Sequence, residues 1–188
     1  LLELGSGSAR VPLDDIMSAL LEQGIEQGRI IDGALAASEA QRAAFWRVRE
    51  EQPEGQRLAG PQLKHDISVP PALIPAFVAE AAKVCEGLVP DVRINPFGHL
   101  GDGNIHYNIS QPVGADKAAF IARWREVNAV VHAVVHKHTG SISAEHGVGQ
   151  LKRDELAASR PAIETELMRR IKQAFDPAGI MNPGKVIG

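Results

Sequence analysis

The sequence predicts an α+β fold: an antiparallel sheet covered on one side by helices. Three observations point there. Strand-like and helix-like stretches are mixed without the dense strand–helix alternation of a parallel sheet. An Asp-Gly pair, Asp102-Gly103, sits between two alternating runs, which is a strong hairpin signal. Several helical stretches carry a single apolar stripe, as helices lying on a sheet do. The chain has 188 residues, 44% of them hydrophobic and 23% charged, which suits one compact globular unit and excludes disorder. The net charge of −3 argues against a nucleic-acid footprint. No apolar run reaches the roughly 18 residues of a membrane span, and no signal peptide is visible, so the expected location is cytoplasmic. A single cysteine, Cys85, excludes an internal disulfide.

Taken in order, Leu1–Leu4 is expected as a short strand and Gly5–Ser8 as a loop. Pro12–Gly28 is expected as a helix, with Leu13, Ile16, Leu20 and Ile25 near helical spacing. Ser38 and Gln41 form a capping-box pattern that opens a helix toward Gln52, stopped by Pro53, with a loop from Gln56 to Pro61. Ile67 and Val69 alternate with polar residues in a strand that Pro70-Pro71 ends. Ile74, Phe77, Val78, Ala81, Val84 and Leu88 mark the next helix, with Cys85 as a buried, inert thiol. Val92–Phe97 and Ile105–Ile109 are strands. Phe120, Trp124, Val127, Val131, Val134 and His138 give one long helix with Gly140 as its cap. Pro161 fits the first turn of a last helix, striped by Ile163, Leu167, Ile171 and Phe175 and ended by Asp176-Pro177.

Two segments carry candidate chemistry. If Asp102-Gly103 is a two-residue turn, Gly101 pairs with Asn104, Leu100 with Ile105, and His99 with His106. Directly opposed residues have Cβ atoms about 4.5–5.5 Å apart, so two imidazoles would be placed to share one ion. Ile105, Tyr107 and Ile109 then face a core, while His106 and Asn108 face the other way with His99. The same pattern also suits a polar sheet face on which two histidines happen to meet. The second segment is Ser143-Ala144-Glu145-His146-Gly147-Val148-Gly149, where glycines after a Glu-His pair suggest a tight turn. Two histidines and a carboxylate make a divalent-metal set with positions left for substrate, and His146 would remain free as an acid or base. A loop with a solvated Glu-His pair accounts for the same residues. His132 and His136 fall on what reads as a solvated helix face, and His65 and His138 show no partner pattern.

At these residues the sequence resembles one family. His99-Leu100-Gly101-Asp102-Gly103-Asn104-Ile105-His106, then the Glu-His segment, then Asp176-Pro177-Ala178-Gly179-Ile180-Met181-Asn182-Pro183-Gly184-Lys185 occur in its order. It is the C-terminal domain of FAD-linked oxidases of the D-2-hydroxy-acid dehydrogenase type, whose members act on acids such as D-2-hydroxyglutarate, D-lactate and glycolate. The resemblance spans nearly the whole chain. It implies a ferredoxin-like cap domain over residues 1–188 that binds substrate and metal, with FAD held mainly by an N-terminal domain outside this sequence. The opening on Leu1-Leu2-Glu3-Leu4, without a methionine, fits a piece of a longer protein.

The resemblance also implies roles. His99, His106 and Glu145 match the ligands of a divalent ion, usually zinc, and His146 matches a catalytic base beside the flavin. Asn108 matches a substrate contact. Lys64 and Arg49 match cations that hold substrate carboxylate, and Asn182 a position near the flavin. Pro53 stands where a 2-hydroxyglutarate member carries threonine, so a hydroxyl contact is lost. The implied partners are a small D-2-hydroxy acid and an electron acceptor, and a homodimer is compatible with the sequence. Rival readings are a stand-alone metal-binding module and a metal-dependent hydrolase in which His146 activates a metal-bound water.

Overall fold

The structure, a computed structural model, describes residues 1–187. The chain divides into two compact units, Leu1–Leu58 and Ala59–Gly188, where one unit was expected. Among residues 1–58 none is buried.

The first unit is helical. Leu1–Leu4 is irregular, not a strand. Helix α1 spans Leu13–Glu26 and α2 spans Glu39–Glu50. Ser38 Oγ accepts the backbone N–H of Gln41, and Gln41 Oε1 accepts that of Ala37, so the capping pattern forms one residue further back than the standard box. As expected, α2 ends ahead of Pro53, but Pro53 does not lead into a loop. It sits in the first turn of α3, Gln52–Leu58, where a missing N–H costs nothing.

The second unit is the sheet and its cover. Strand β1 (Gln62–Ser68) is followed by α4 (Ile74–Leu88), β2 (Arg93–His99), β3 (Asn104–Ser110), α5 (Lys117–Ala122) and α6 (Trp124–Lys137). Helices α7 (Arg153–Ser159) and α8 (Ala162–Phe175) come last. The sheet is antiparallel, in the order β1-β3-β2. Ser68 makes an isolated antiparallel bridge to Ser141, just after α6. The unit therefore reads strand–helix–strand–strand–helix–bridge, a ferredoxin-like arrangement whose last strand is reduced to one bridge. The expected α+β class holds.

The pleat sorts the side chains. Leu63 and Ile67 of β1 and Ile105, Tyr107 and Ile109 of β3 face the helices, where they meet Phe77, Ala81 and Cys85 of α4 and Val127, Val131 and Val135 of α6. Each fully buried side chain of this size contributes roughly 1.5–3 kcal/mol. Cys85 is 1% exposed, and burial pushes its thiol up to about 11, so it is inert as expected.

Several details of the cover differ from the sequence reading. The long helix breaks at Arg123, which caps α5 and precedes α6. At the end of α6 the left-handed residue is Thr139 (φ 55°), not Gly140; Gly140 is needed because a Cβ there would lie 2.3 Å from the Ser68 carbonyl oxygen. His132 is not solvated. It is 7% exposed, its Nδ1 lies 3.0 Å from Glu155 on α7, and its ring sits edge-on to His65. His138 also has a partner, Glu80 at 3.0 Å. The stripe of α8 stays exposed, with Ile163 at 64% and Phe175 at 82%.

Burial, with His65, Lys152 and His136 nearby, pulls His132 down from 6.5 to about 4, and burial lowers His65 as well. The folded state therefore takes up fewer protons than the unfolded chain below neutral pH. The stability of the neutral His132 is fully present above 6.5 and is lost as pH falls toward 4, up to ~3 kcal/mol. Urea unfolding at stepped pH should show a steeper acid loss in the parent chain than in a His132→Gln variant. Equal slopes would show that His132 is not held neutral.

Candidate functional site

The face of the sheet turned away from α4 and α6 is polar, and its register places the candidate residues. Lys64 of β1 opposes Asn108 of β3, and Asp66 opposes His106. On the other flank Asn95 opposes Asn108, Phe97 opposes His106, and His99 opposes Asn104. This corrects the two-residue turn: His99 does not face His106. Asp102 Oδ1 accepts the backbone N–H of Asn104, closing its own local turn. Gly103 takes a φ of +79°, and its carbonyl receives the N–H of Val69. The connection thus uses Leu100–Gly103, and Phe97 takes the expected place of His99. Its ring tilts over His106 with centroids 5.1 Å apart. Parity is kept, so His99 stays on the face of His106 as a diagonal neighbour, a separation typically of about 7–8 Å.

The Glu145–His146 segment folds back onto this face as a turn, so both side chains reach it. Asp66 Oδ2 accepts the backbone N–H of Glu145 at 2.9 Å and of His146 at 2.8 Å. Gly147 and Gly149 take positive φ, and Ser143 Oγ donates to the Gly147 carbonyl. Glu145 Oε2 then lies 3.6 Å from His106 Nε2, and the rings of His106 and His146 are 6.0 Å apart. Lys152 holds the start of the segment by donating to the Ile142 carbonyl at 2.7 Å.

Asp66, His106 and Glu145 offer donor atoms within 4.8 Å of one another. Imidazole nitrogen with carboxylate oxygen suits zinc or a similar divalent ion. The electrostatics agree. Asp66 is 5% exposed, and its Oδ1 has no hydrogen-bond partner among the described residues, a costly state for a carboxylate oxygen. Burial works against its ionisation, but the His146 and Glu145 N–H groups and the nearby His146 and His106 rings outweigh that and hold its pKa below the ordinary value. The residues present therefore fit a divalent cation.

The other candidates are spread. Lys64 is exposed and Asn108 buried, side by side on this face. His99 is exposed at the end of β2, outside the donor group. Arg49 stands in the last turn of α2, in the first unit. Asn182 is exposed beyond α8, with φ 48°. The sequence reading gave Asp66 no role. Its signal was available: Asp66 shares the strand parity of Lys64, so any placement of Lys64 on a site face brings Asp66 with it.

Residues 5–186 match the family model for the C-terminal domain of FAD linked oxidases. The chain belongs to this family. Relatives include a D-2-hydroxyglutarate dehydrogenase of Stutzerimonas stutzeri, 45% identical over 89% of this chain and 36% of that protein. One of Xanthomonas citri is 40% identical over 89% of the chain and 35% of its own length. A mitochondrial D-2-hydroxyglutarate dehydrogenase of Arabidopsis thaliana is 37% identical over 91% and 29%. The chain thus spans about a third of the length of these relatives. Among the described residues of this family member, no helix is long and apolar enough to cross a membrane.

The hairpin geometry makes a direct prediction. A Cβ at Gly103 would lie 2.0 Å from the Val69 carbonyl oxygen, on a backbone conformation that side chains rarely adopt. Gly103→Ala should cost about 2 kcal/mol or more in urea unfolding, and Asp102→Ala about 1 kcal/mol. A Gly103→Ala variant as stable as the parent would refute this turn.

Proposed function

We propose that this chain is the substrate- and metal-binding cap domain of an FAD-dependent oxidoreductase that converts a D-2-hydroxy acid to the 2-oxo acid. The observation that supports it most is the gathering of His106, Glu145, His146, Lys64 and Asn108 around one polar sheet face. The family membership and the printed names of the relatives support the reaction class.

His106 and Glu145 would hold a divalent ion, zinc being favoured by the donor set, with His99 reaching in from its diagonal position. Bound there, the ion would supply positive charge that acidifies the substrate hydroxyl. FAD, with Asn182 proposed near it and the rest of its site outside this chain, would accept hydride, a role no side chain can fill.

The chain's own residues would do the remaining work. His146 has its Nδ1 3.4 Å from Asp66, so Nε2 is the nitrogen left to take the hydroxyl proton. A base placed this way contributes ~10²–10⁴-fold. Lys64 would give a substrate carboxylate a point charge, and Asn108 beside it a hydrogen bond. Arg49 is proposed as a bidentate carboxylate fork on the resemblance alone. A stand-alone metal-binding module and a metal-dependent hydrolase remain the rivals.

The deciding experiment is a panel of D-2-hydroxy acids assayed against the full-length protein with an artificial electron acceptor. Turnover, with bleaching of flavin absorbance, is expected for at least one acid. No turnover and no bleaching with any acid of the panel would overturn this reading. Within that panel, Lys64→Met should lower kcat/KM at least tenfold, most for dicarboxylates, at little cost in Tm. His106→Ala should lower metal content, by elemental analysis, together with kcat. Full metal occupancy in that variant would remove His106 from the ligand set.

A further inference from the structure

Asp66 lies on the polar face across from His106, and apart from its approach to His146 Nδ1 at 3.4 Å it has no part in the chemistry described so far. It is buried, and its two oxygens are in different situations. Oδ2 is crowded with donors: the backbone N–H of Glu145 at 2.9 Å, that of His146 at 2.8 Å, and the His146 ring Nδ1 at 3.4 Å. Oδ1 is buried and without a hydrogen-bond partner among the described residues. Neither cationic side chain nearby, Lys152 nor His106, hydrogen-bonds to it. Lys152 directs its ammonium to the Ile142 carbonyl, and His106 points its Nε2 toward Glu145 at 3.6 Å.

We propose that Asp66 is the positioning residue of this site: one oxygen fixes the backbone of the Glu145–His146 turn, and the other is left bare to face the divalent cation, a role that rests on the cation reading above. The geometry explains why both neighbours of the turn arrive together. Glu145 and His146 are adjacent, and on an extended strand they would point to opposite faces. Anchoring both of their N–H groups on a single oxygen imposes a turn, which brings a ligand and a base to the same side. The anchor comes from β1, directly across from His106, so the same pleat sets both ends of the arrangement. Residues that orient ligands in this way typically change metal affinity about 10–100-fold when altered.

The carboxylate has a property that its amide isostere lacks. Asp offers two acceptor oxygens, whereas Asn offers one oxygen and an NH₂ donor. In Asp66→Asn the oxygen can serve the N–H groups of Glu145 and His146, but the NH₂ then faces the cation. Turned the other way, the NH₂ meets the backbone donors. A purely structural role would be kept largely intact by the first orientation, while a cation-facing role would be lost in either.

The test uses this chain with Zn²⁺ alone, titrated by calorimetry, and with Co²⁺, followed by its visible spectrum. His106→Ala and Glu145→Gln are the controls, and urea unfolding in chelator measures the fold without metal. Asp66→Asn is expected to weaken Zn²⁺ binding at least tenfold and to change the Co²⁺ spectrum. Parent-like affinity and spectrum in Asp66→Asn, with both controls weakened, would overturn the role of Asp66 and leave the cation reading standing. Unchanged affinity in all three variants would overturn the cation reading itself and the role of Asp66 with it. If Asp66→Asn does not fold, the parent chain carries the test: Zn²⁺ must shift the Asp66 side-chain carboxyl carbon resonance, and an unmoved resonance overturns the proposal.

Discussion

In the second unit everything hangs on β3 being the central strand. It is hydrogen-bonded on both edges, so its period of two is imposed on β1 and β2 as well. One set of its side chains, Ile105, Tyr107 and Ile109, fills the core against α4 and α6. The other set, His106 and Asn108, is thereby committed to the opposite face. Whatever lies across from them in register joins that face: Lys64 and Asp66 on one side, Asn95 and Phe97 on the other. A one-residue slip would put Ile105 on the polar face and His106 in the core, so the hydrophobic requirement of the core also guards the site.

A second constraint is electrostatic. Asp66 is taken out of water by the returning Glu145–His146 turn, and its carboxylate is tolerated because the turn supplies N–H donors in place of water. The turn and the carboxylate are therefore mutually dependent. Neither has a reason to be where it is without the other. Lys152 reinforces the return by holding the Ile142 carbonyl, and the Ser68–Ser141 bridge ties the same stretch to the edge of β1. The loop is thus fixed at its start by backbone pairing and by a half-buried cation, and near its middle by a buried anion. That is the rigidity a site needs if it is to hold an ion and a base in a set geometry.

Much of this was legible along the chain and some was not, for identifiable reasons. The alternation around His106 and the stripe of α4 are local patterns, and they gave the polar and apolar faces correctly. The hairpin register was misread because Asp102 closes a local turn with Asn104, and the left-handed Gly103 ties the connection to Val69, a residue far away in sequence. Asp66 was passed over because its meaning depends on a contact with Glu145 and His146 that nothing near it announces. His132 was read as solvated because its burial comes from α7 and Glu155, not from its own helix. Helix α2 ends ahead of Pro53 as the stop signal implies, but the same proline also suits the first turn of α3, which that signal alone does not reveal. The stripe of α8 was read correctly as apolar, and it remains exposed among the described residues.

The central claim is that the polar face of β1 and β3 is built to hold one divalent ion. The most direct measurement is a crystal structure of this chain grown with stoichiometric Zn²⁺, with anomalous differences collected at the zinc edge. The account predicts a single strong peak about 2.0–2.2 Å from a ring nitrogen of His106 and a carboxylate oxygen of Glu145, with Asp66 Oδ1 turned toward it. A peak elsewhere on the chain, or an empty face between His106 and Glu145 at full zinc occupancy of the protein, would contradict it.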